Sequence, residues 1–322
     1  MAMPVTVSAG QPAGLPEPVA GARGRAGGRL AQAIRSNRKA TAGVILLGLF
    51  AFVSLFPQLL APDNPNAIIY GQNLGPSASH WFGTTSIGQD VYAQVIYGTR
   101  AVLILAISVG LLTTVIAAVI GVAAAYIGGA TDSVLNLITD ILLVIPLFPL
   151  LIAIAAYLHN AGNLVMIAIL TGTGWSYTAR QLRSQAQSLR GRDFLMAARV
   201  RGERTFYIIM VEIIPTMTSL LLACFLGNAL YAVLAASGLQ FLGLGDPNLI
   251  SWGTTLYHAQ NDQALQNGQY LWAIAPGACI ALLGAAFALL NYAFDEVSNP
   301  ALRPMRTKAL QRRRARHGTR NS

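Results

Sequence analysis

Charge is scarce in this chain. Asp, Glu, Lys and Arg make up 11% of its 322 residues, against about 25% in a typical soluble domain. A water-soluble fold of this length needs more polar surface than that to cover its core. Lysine is scarcer still, with only Lys39 and Lys308. Neither closes a Gly-rich loop ahead of Ser or Thr, where a P-loop ATPase needs a lysine to neutralise phosphate charge. ATP hydrolysis by that mechanism is therefore excluded. The two cysteines, Cys224 and Cys279, both fall inside apolar runs. They read as small buried hydrophobes, not as a disulfide or a metal or redox pair. His80, His159, His258 and His317 lie far apart without metal-ligand spacing, so no metal site is expected. No Gly-x-Ser-x-Gly elbow is present. Nothing points to catalysis, or to a cofactor bound by the chain itself. There is no evident internal repeat and no soluble domain larger than a loop.

What the chain has in abundance is apolar sequence. Hydrophobic residues make up 54%, and several runs exceed the roughly 18 residues that mark a membrane span. The expected fold class is all-α, a polytopic membrane protein with about six transmembrane helices. The expected spans are 42–60, 101–127, 134–158 (with Pro146 and Pro149 inside), a short polar one at 164–177, then 215–242 and 271–294. Residues 1–40 are rich in Pro, Gly and Ala and end in a basic cluster. Such a composition cannot bury a core, which predicts a disordered N-terminal segment. The run that follows is long for a signal peptide and lacks a small-x-small cleavage site, so it reads as an uncleaved first span. A transmembrane domain is expected over 41–299 and a basic tail over 300–322.

The net charge of +10 reads as topology, with no nucleic-acid partner implied. Arg23, Arg25, Arg29, Arg35, Arg38 and Lys39 precede the first span. Arg180, Arg183, Arg190, Arg192, Arg199, Arg201 and Arg204 fall in a loop over 180–214, and the remaining basic residues fall in the tail, apart from Arg100. The long loops 63–100 and 243–270 are otherwise nearly free of Lys and Arg. With six spans, all three basic segments share one side, which the positive-inside rule assigns to the cytoplasm. Both termini are then cytoplasmic, with Arg100 at the outer mouth of the second span. The tail is expected to be drawn to anionic lipid.

The segment Asp193–Pro215 reads DFLMAARVRGERTFYIIMVEIIP. Phe194, Ala197 and Ala198 recur at helical spacing, which predicts a short amphipathic helix. Gly202 fits a helix end that needs a left-handed residue. Met196-Ala197-Ala198, then Gly202, then Glu212-Ile213-Ile214-Pro215 resembles the Glu-Ala-Ala, Gly, Ile-x-Leu-Pro signature of membrane-spanning components of binding-protein-dependent ABC importers. The Ala pair, Gly, Pro and all spacings match. Met196 stands in place of the acidic residue and Glu212 in place of an aliphatic one, with Asp193 one turn earlier as the substitute acid.

Two further stretches look like those of the C-type permeases of dipeptide, oligopeptide and nickel importers. The first runs from His80 through Gly83-Thr84, Gly88-Gln89-Asp90 and Gly98-Thr99-Arg100. Thr85 replaces the usual Asp there and Gln89 the usual Arg. The second is Phe241-Leu242-Gly243-Leu244-Gly245 with Ser251-Trp252-Gly253. The resemblance covers roughly residues 35–303. It implies the type I ABC importer permease fold and transport without catalysis by this chain. It implies a second homologous permease subunit, two ABC ATPase subunits that use ATP and Mg, and an extracytoplasmic solute-binding protein. It also implies ATPase coupling through Asp193, Phe194, Met196, Ala197, Ala198, Gly202 and Pro215. A di- or oligopeptide is the expected cargo, with cello-oligosaccharide and nickel as rivals. A stand-alone secondary transporter or channel is the rival of another class, and would predict paired broken spans and ionisable relays.

Asp140 is the acidic residue that falls clearly within a span, and such residues are functional candidates by default. The resemblance implies that it acts in helix packing or gating, with Ser or Tyr partners. Trp81, Trp252 and Trp272 are expected to anchor the interfaces, as amphipathic aromatics do.

Overall fold

The computed structural model describes residues 38–158 and 161–298, with side chains as far as residue 294. Within them the chain is helical, and its β contacts are two isolated bridges, Thr84–Asp90 and Ala161–Gly245. The main helices are α1 (Arg38–Leu55), α2 (Val91–Ile127), α3 (Gly129–Val144), α4 (Leu147–Tyr157), α5 (Asn163–Leu189), α6 (Asp193–Val200), α7 (Thr218–Phe241), α8 (Trp252–Asn261) and α9 (Tyr270–Ser298). By length and composition α1, α2, α7 and α9 can each cross a membrane, and α3 with α4 is a further apolar pair bent by 84°, a broken span or a re-entrant loop. The second half of α5 is too polar to pass that test. It nevertheless runs parallel to α2 through the same depth. Asn163 Nδ2 donates to the Ala101 carbonyl at 3.1 Å near one end, and Gly121 meets the Ala179 carbonyl near the other. The result is a bundle of packed rods. One end carries the basic loop 190–217, and the opposite end carries 61–90 and 243–269.

Local chemistry sets the helix limits. The Asp90 carboxylate accepts from the Ala93 amide at 2.8 Å and so caps the start of α2. At about 1.5 Å per residue this 37-residue helix is roughly 55 Å long, well beyond the roughly 30 Å of a bilayer's hydrocarbon core. Ile145 is extended at φ −70°, ψ 127°, as the residue before a proline prefers. The third span therefore breaks at Pro146. Ser251 opens α8 with a reciprocal capping box to Thr254.

Small residues let the rods approach closely, which replaces the hydrophobic drive that lipid does not supply. A Cβ on Gly121 would lie 2.4 Å from the Ala179 carbonyl, and one on Gly110 would lie 3.1 Å from Ala229 Cβ. Gly43 of α1 sits similarly tight against Leu290 of α9. One buried cluster, with Phe50, Val95, Trp252 and Phe287, joins α1, α2, α8 and α9. A second, with Ala117, Val122, Leu182, Leu195, Ala198 and Ile213, ties α2 and α5 to the basic loop.

The all-α fold is as expected, and several sequence boundaries are corrected. The second span starts at Val91, ten residues early, because Asp90 supplies the cap. The loop 243–270 contains α8. The third span is two helices. The fourth extends to Leu189 and takes in Arg180 and Arg183, whose charges meet carboxylates on α3. The fifth span starts at Thr218. Trp252 and Trp272 are not interfacial anchors but fully buried core residues. The Trp252 indole is satisfied within the bundle, donating to the Val95 carbonyl at 2.9 Å and meeting the Phe50 ring edge-on at 5.5 Å. Trp81 is exposed. Cys224 is buried, its thiol donating to Gln181 Oε1 at 3.7 Å, Cys279 is half-buried, and neither is in a disulfide. The basic segment 1–37, the tail from 299, His159 and His317 lie outside the described residues.

Candidate functional site

Helix α6 has two unlike faces. Leu195 and Ala198, one turn apart, are fully buried against the bundle, whereas Met196 and Val200 are 52% and 89% exposed. Asp193, Phe194 and Ala197 also face outward. The expected grouping of Phe194, Ala197 and Ala198 on one face is therefore corrected. The 3.6-residue period puts Leu195 with Ala198 inside and leaves Phe194 and Ala197 outside. Asp193 stands in the first turn, where a carboxylate favours the positive end of the helix dipole.

The helix ends in a Schellman turn. The Glu203 amide donates to the Ala198 carbonyl at 3.2 Å and Gly202 takes φ +76°, a value that glycine adopts without penalty. Ile208–Ile213 then forms one wide π turn directly before Pro215. Widening the turn accommodates the proline ring, which would clash with the carbonyl four residues back. Glu212 sits 3.7 Å from Arg201.

A row of arginines fastens this end. Arg199 of α6 lies 5.0 Å from the centre of the Tyr126 ring and donates to its hydroxyl at 3.3 Å, which joins α6 to the end of α2. Arg183 of α5 forks onto both Asp132 oxygens at 2.7 and 2.8 Å. Arg180 donates to Asp140, which also accepts from Asn136 at 2.9 Å. The partners of Asp140 are therefore an arginine and an amide, not the expected Ser or Tyr, because α5 continues far enough to bring Arg180 alongside. Sequence reasoning missed the Asp132–Arg183 pair altogether. Its members are 51 positions apart, and no spacing rule links them.

The second motif set gathers at the opposite end. The Asp90 carboxylate that caps α2 also meets His80 Nδ1 at 2.7 Å. Thr84 Oγ1 donates to the Gly71 carbonyl and accepts from the Leu74 amide at 2.9 Å. At Gly88 φ is +84°, and a Cβ would lie 2.3 Å from the Tyr70 carbonyl, so no other residue fits. Gly83 lies against Leu74, Gly98 against Ser251 and Trp252, Gly243 against Tyr257, and Gly245 and Gly253 against Gln240. Arg100 is exposed on α2. These residues interlock the loops with the rod ends.

Between α5, α7 and α9 lies a half-open cavity of about 460 Å³ that sequence reasoning did not anticipate. Its polar lining comes from Tyr177, Thr178, Gln181, Asn228, Tyr231 and Asn291, and no charged residue lines it. Thr178 donates to Asn228 and Asn228 to Thr114, both at 3.0 Å.

A bundle of long apolar helices, with an apolar-faced helix displayed on a basic loop and an uncharged cavity in its wall, fits the membrane subunit of a transport system. The chain belongs to the family of binding-protein-dependent transport system inner membrane components, whose pattern it matches over residues 117–304. It is 31% identical over 275 residues to the oligopeptide transport system permease protein OppC of Mycobacterium bovis, covering 84% of this chain and 93% of that one. The identity and coverage are the same for the protein of that name from Mycobacterium tuberculosis. It is also 31% identical over 274 residues to the dipeptide transport system permease protein DppC of Bacillus subtilis, covering 84% of each. The chain is a multi-pass membrane protein from a family of transport components.

Proposed function

We propose that this chain is one of two permease subunits in an ATP-driven importer of di- or oligopeptides. The observation that carries the reading is α6. Leu195 and Ala198 hold it to the bundle, while Phe194, Met196 and Val200 present apolar surface to solvent in an otherwise basic loop. Exposed apolar groups rimmed by charge mark a protein-docking surface. The partner is an ABC ATPase subunit, one on each permease. ATP and Mg act in those partners, and this chain binds no cofactor. Loop 190–217 and both termini face the cytoplasm, and a solute-binding protein delivers cargo to the opposite end. Peptide cargo rests on the relatives named above.

ATP binding draws the two ATPases together, and α6 moves with its partner. The Arg199–Tyr126 contact passes that movement to α2, and the Arg183–Asp132 and Arg180–Asp140 pairs carry α3 along with α5. This is rigid-body alternating access. Asp140 serves as a helix tie in the gating movement, and Pro215 with its wide turn sets the angle at which the loop re-enters α7.

The test is site-directed photocross-linking in the assembled complex. A photoreactive residue at Val200 or Met196 should capture the ATPase, and one at Leu195 should not. Capture from neither outward position in an actively transporting complex would contradict the assignment of α6.

A further inference from the structure

The cavity between α5, α7 and α9 holds chemistry that the bundle itself does not use. Tyr231 lines it, and the Tyr231 hydroxyl is buried with no hydrogen-bond partner. The Tyr231 ring lies against Gly174, whose Cβ position would be 3.4 Å from Tyr231 Cε1 and 3.9 Å from Thr113 Cγ2. The hydroxyls of Thr113 and of Thr171, one turn before Gly174, are also buried and unpartnered. Two residues with orphaned hydroxyls, Tyr231 and Thr113, therefore flank one glycine, and Tyr231 also lines the cavity. Thr114, Asn228 and Thr178, by contrast, form a closed chain of hydrogen bonds. Helical threonines ordinarily return their hydroxyl to a carbonyl one turn back, as Thr114 does to Gly110. A buried polar group without a partner costs free energy and calls for an explanation.

We propose that this cavity is a cargo-contact site that recognises the uncharged main-chain amides of a peptide and ignores the charge of its side chains. The proposal rests on the peptide reading above. The lining supplies donors and acceptors of neutral type from Gln181, Asn291, Tyr177 and Tyr231, and no fixed charge that would favour or reject a cargo charge. Neutral amides and hydroxyls can pair with the N–H and C=O that every peptide repeats. Each such bond is modest in net strength, which suits a pathway that must release its cargo. The half-open shape leaves room for side chains to point away from the wall.

Tyr231→Phe is the decisive variant because it removes a hydroxyl that has no partner in the bundle. If that hydroxyl is a structural orphan, the variant will be neutral or more stable, and transport will not change. The assay is uptake of radiolabelled tri-alanine, tri-lysine and tri-glutamate by the assembled complex in proteoliposomes, with binding protein saturating. Thermal unfolding of the same complexes is measured in parallel. Tyr231→Phe should lower uptake of all three peptides by a common factor of roughly 3 to 10, the worth of one hydrogen bond, with unfolding unchanged or later. Asn291→Leu, close in size and also in the lining, should act in the same direction. Wild-type uptake of all three peptides in both variants would overturn the site. A loss confined to one peptide charge would overturn main-chain recognition. If the wild-type complex carried none of the three, the peptide reading itself would fail, an outcome separate from either of these.

Discussion

Replacing Leu195 by Ala should undock α6 while leaving the bundle folded. Leu195 is fully buried in the cluster formed with Leu182, Ala198 and Ile213. Removing a leucine side chain at such a site costs about 2.7–5 kcal/mol. The other anchors are weaker. Ala198 contributes one methyl group, and the Arg199–Tyr126 contact is worth about 0.5–1 kcal/mol at a partly exposed site. A helix of eight residues is also too short to persist alone. A loss of about 3 kcal/mol shifts the docked-to-undocked equilibrium by roughly a hundredfold. Hydrogen exchange on the complex in nanodiscs reads this directly. The amides of Arg201, Gly202 and Glu203, which bond back to Ala197, Arg199 and Ala198, should exchange much faster. Those of α2 should not change. Uptake should fall while the chain still inserts. Unchanged exchange at these three amides would refute the claim that Leu195 pins the helix.

Gly202→Val should insert normally and cost about 1 kcal/mol at its φ of +76°. Because open space surrounds its Cβ position, the loss should appear as weakened ATPase retention on co-purification and not as a clash. Asp132→Arg or Arg183→Asp alone should lower thermal stability by about 1–3 kcal/mol, and the double exchange should restore most of it. Additive losses in that cycle would show that the pair does not tie α3 to α5. In otherwise cysteine-free chains, Asn66→Cys and Asn267→Cys should react with an impermeant thiol reagent in intact cells, and Ser188→Cys only after lysis. Labelling of Ser188→Cys from outside would invert the orientation.

The fold class was legible because long apolar runs have almost no other use. The helix over Asp193–Val200 and its glycine stop were legible because local spacing and a left-handed turn write themselves into neighbouring residues. What could not be read depended on residues far apart. The polar end of α5 hid a crossing helix, since Arg180 and Arg183 look like loop charges until Asp140 and Asp132 are brought beside them. Trp252 looked like an interface anchor because its partner, the Val95 carbonyl, lies 157 positions away. The face assignment of α6 failed for a different reason. Alanine fits both a core and a contact surface, and spacing did not single out the buried Leu195 that decides the matter. The cavity was invisible because helices distant in sequence supply its wall.

The central claim is that this chain forms half of a peptide pathway driven by ATP hydrolysed elsewhere. Its most direct test is reconstitution in proteoliposomes with the second permease, the ATPases and the binding protein, following entry of a labelled peptide. Uptake should require this chain, the binding protein and hydrolysable ATP together, and should stop when the outward face of α6 is made acidic by Met196→Asp and Val200→Asp. Peptide uptake that continued without ATP, or at the wild-type rate in that double variant, would contradict it.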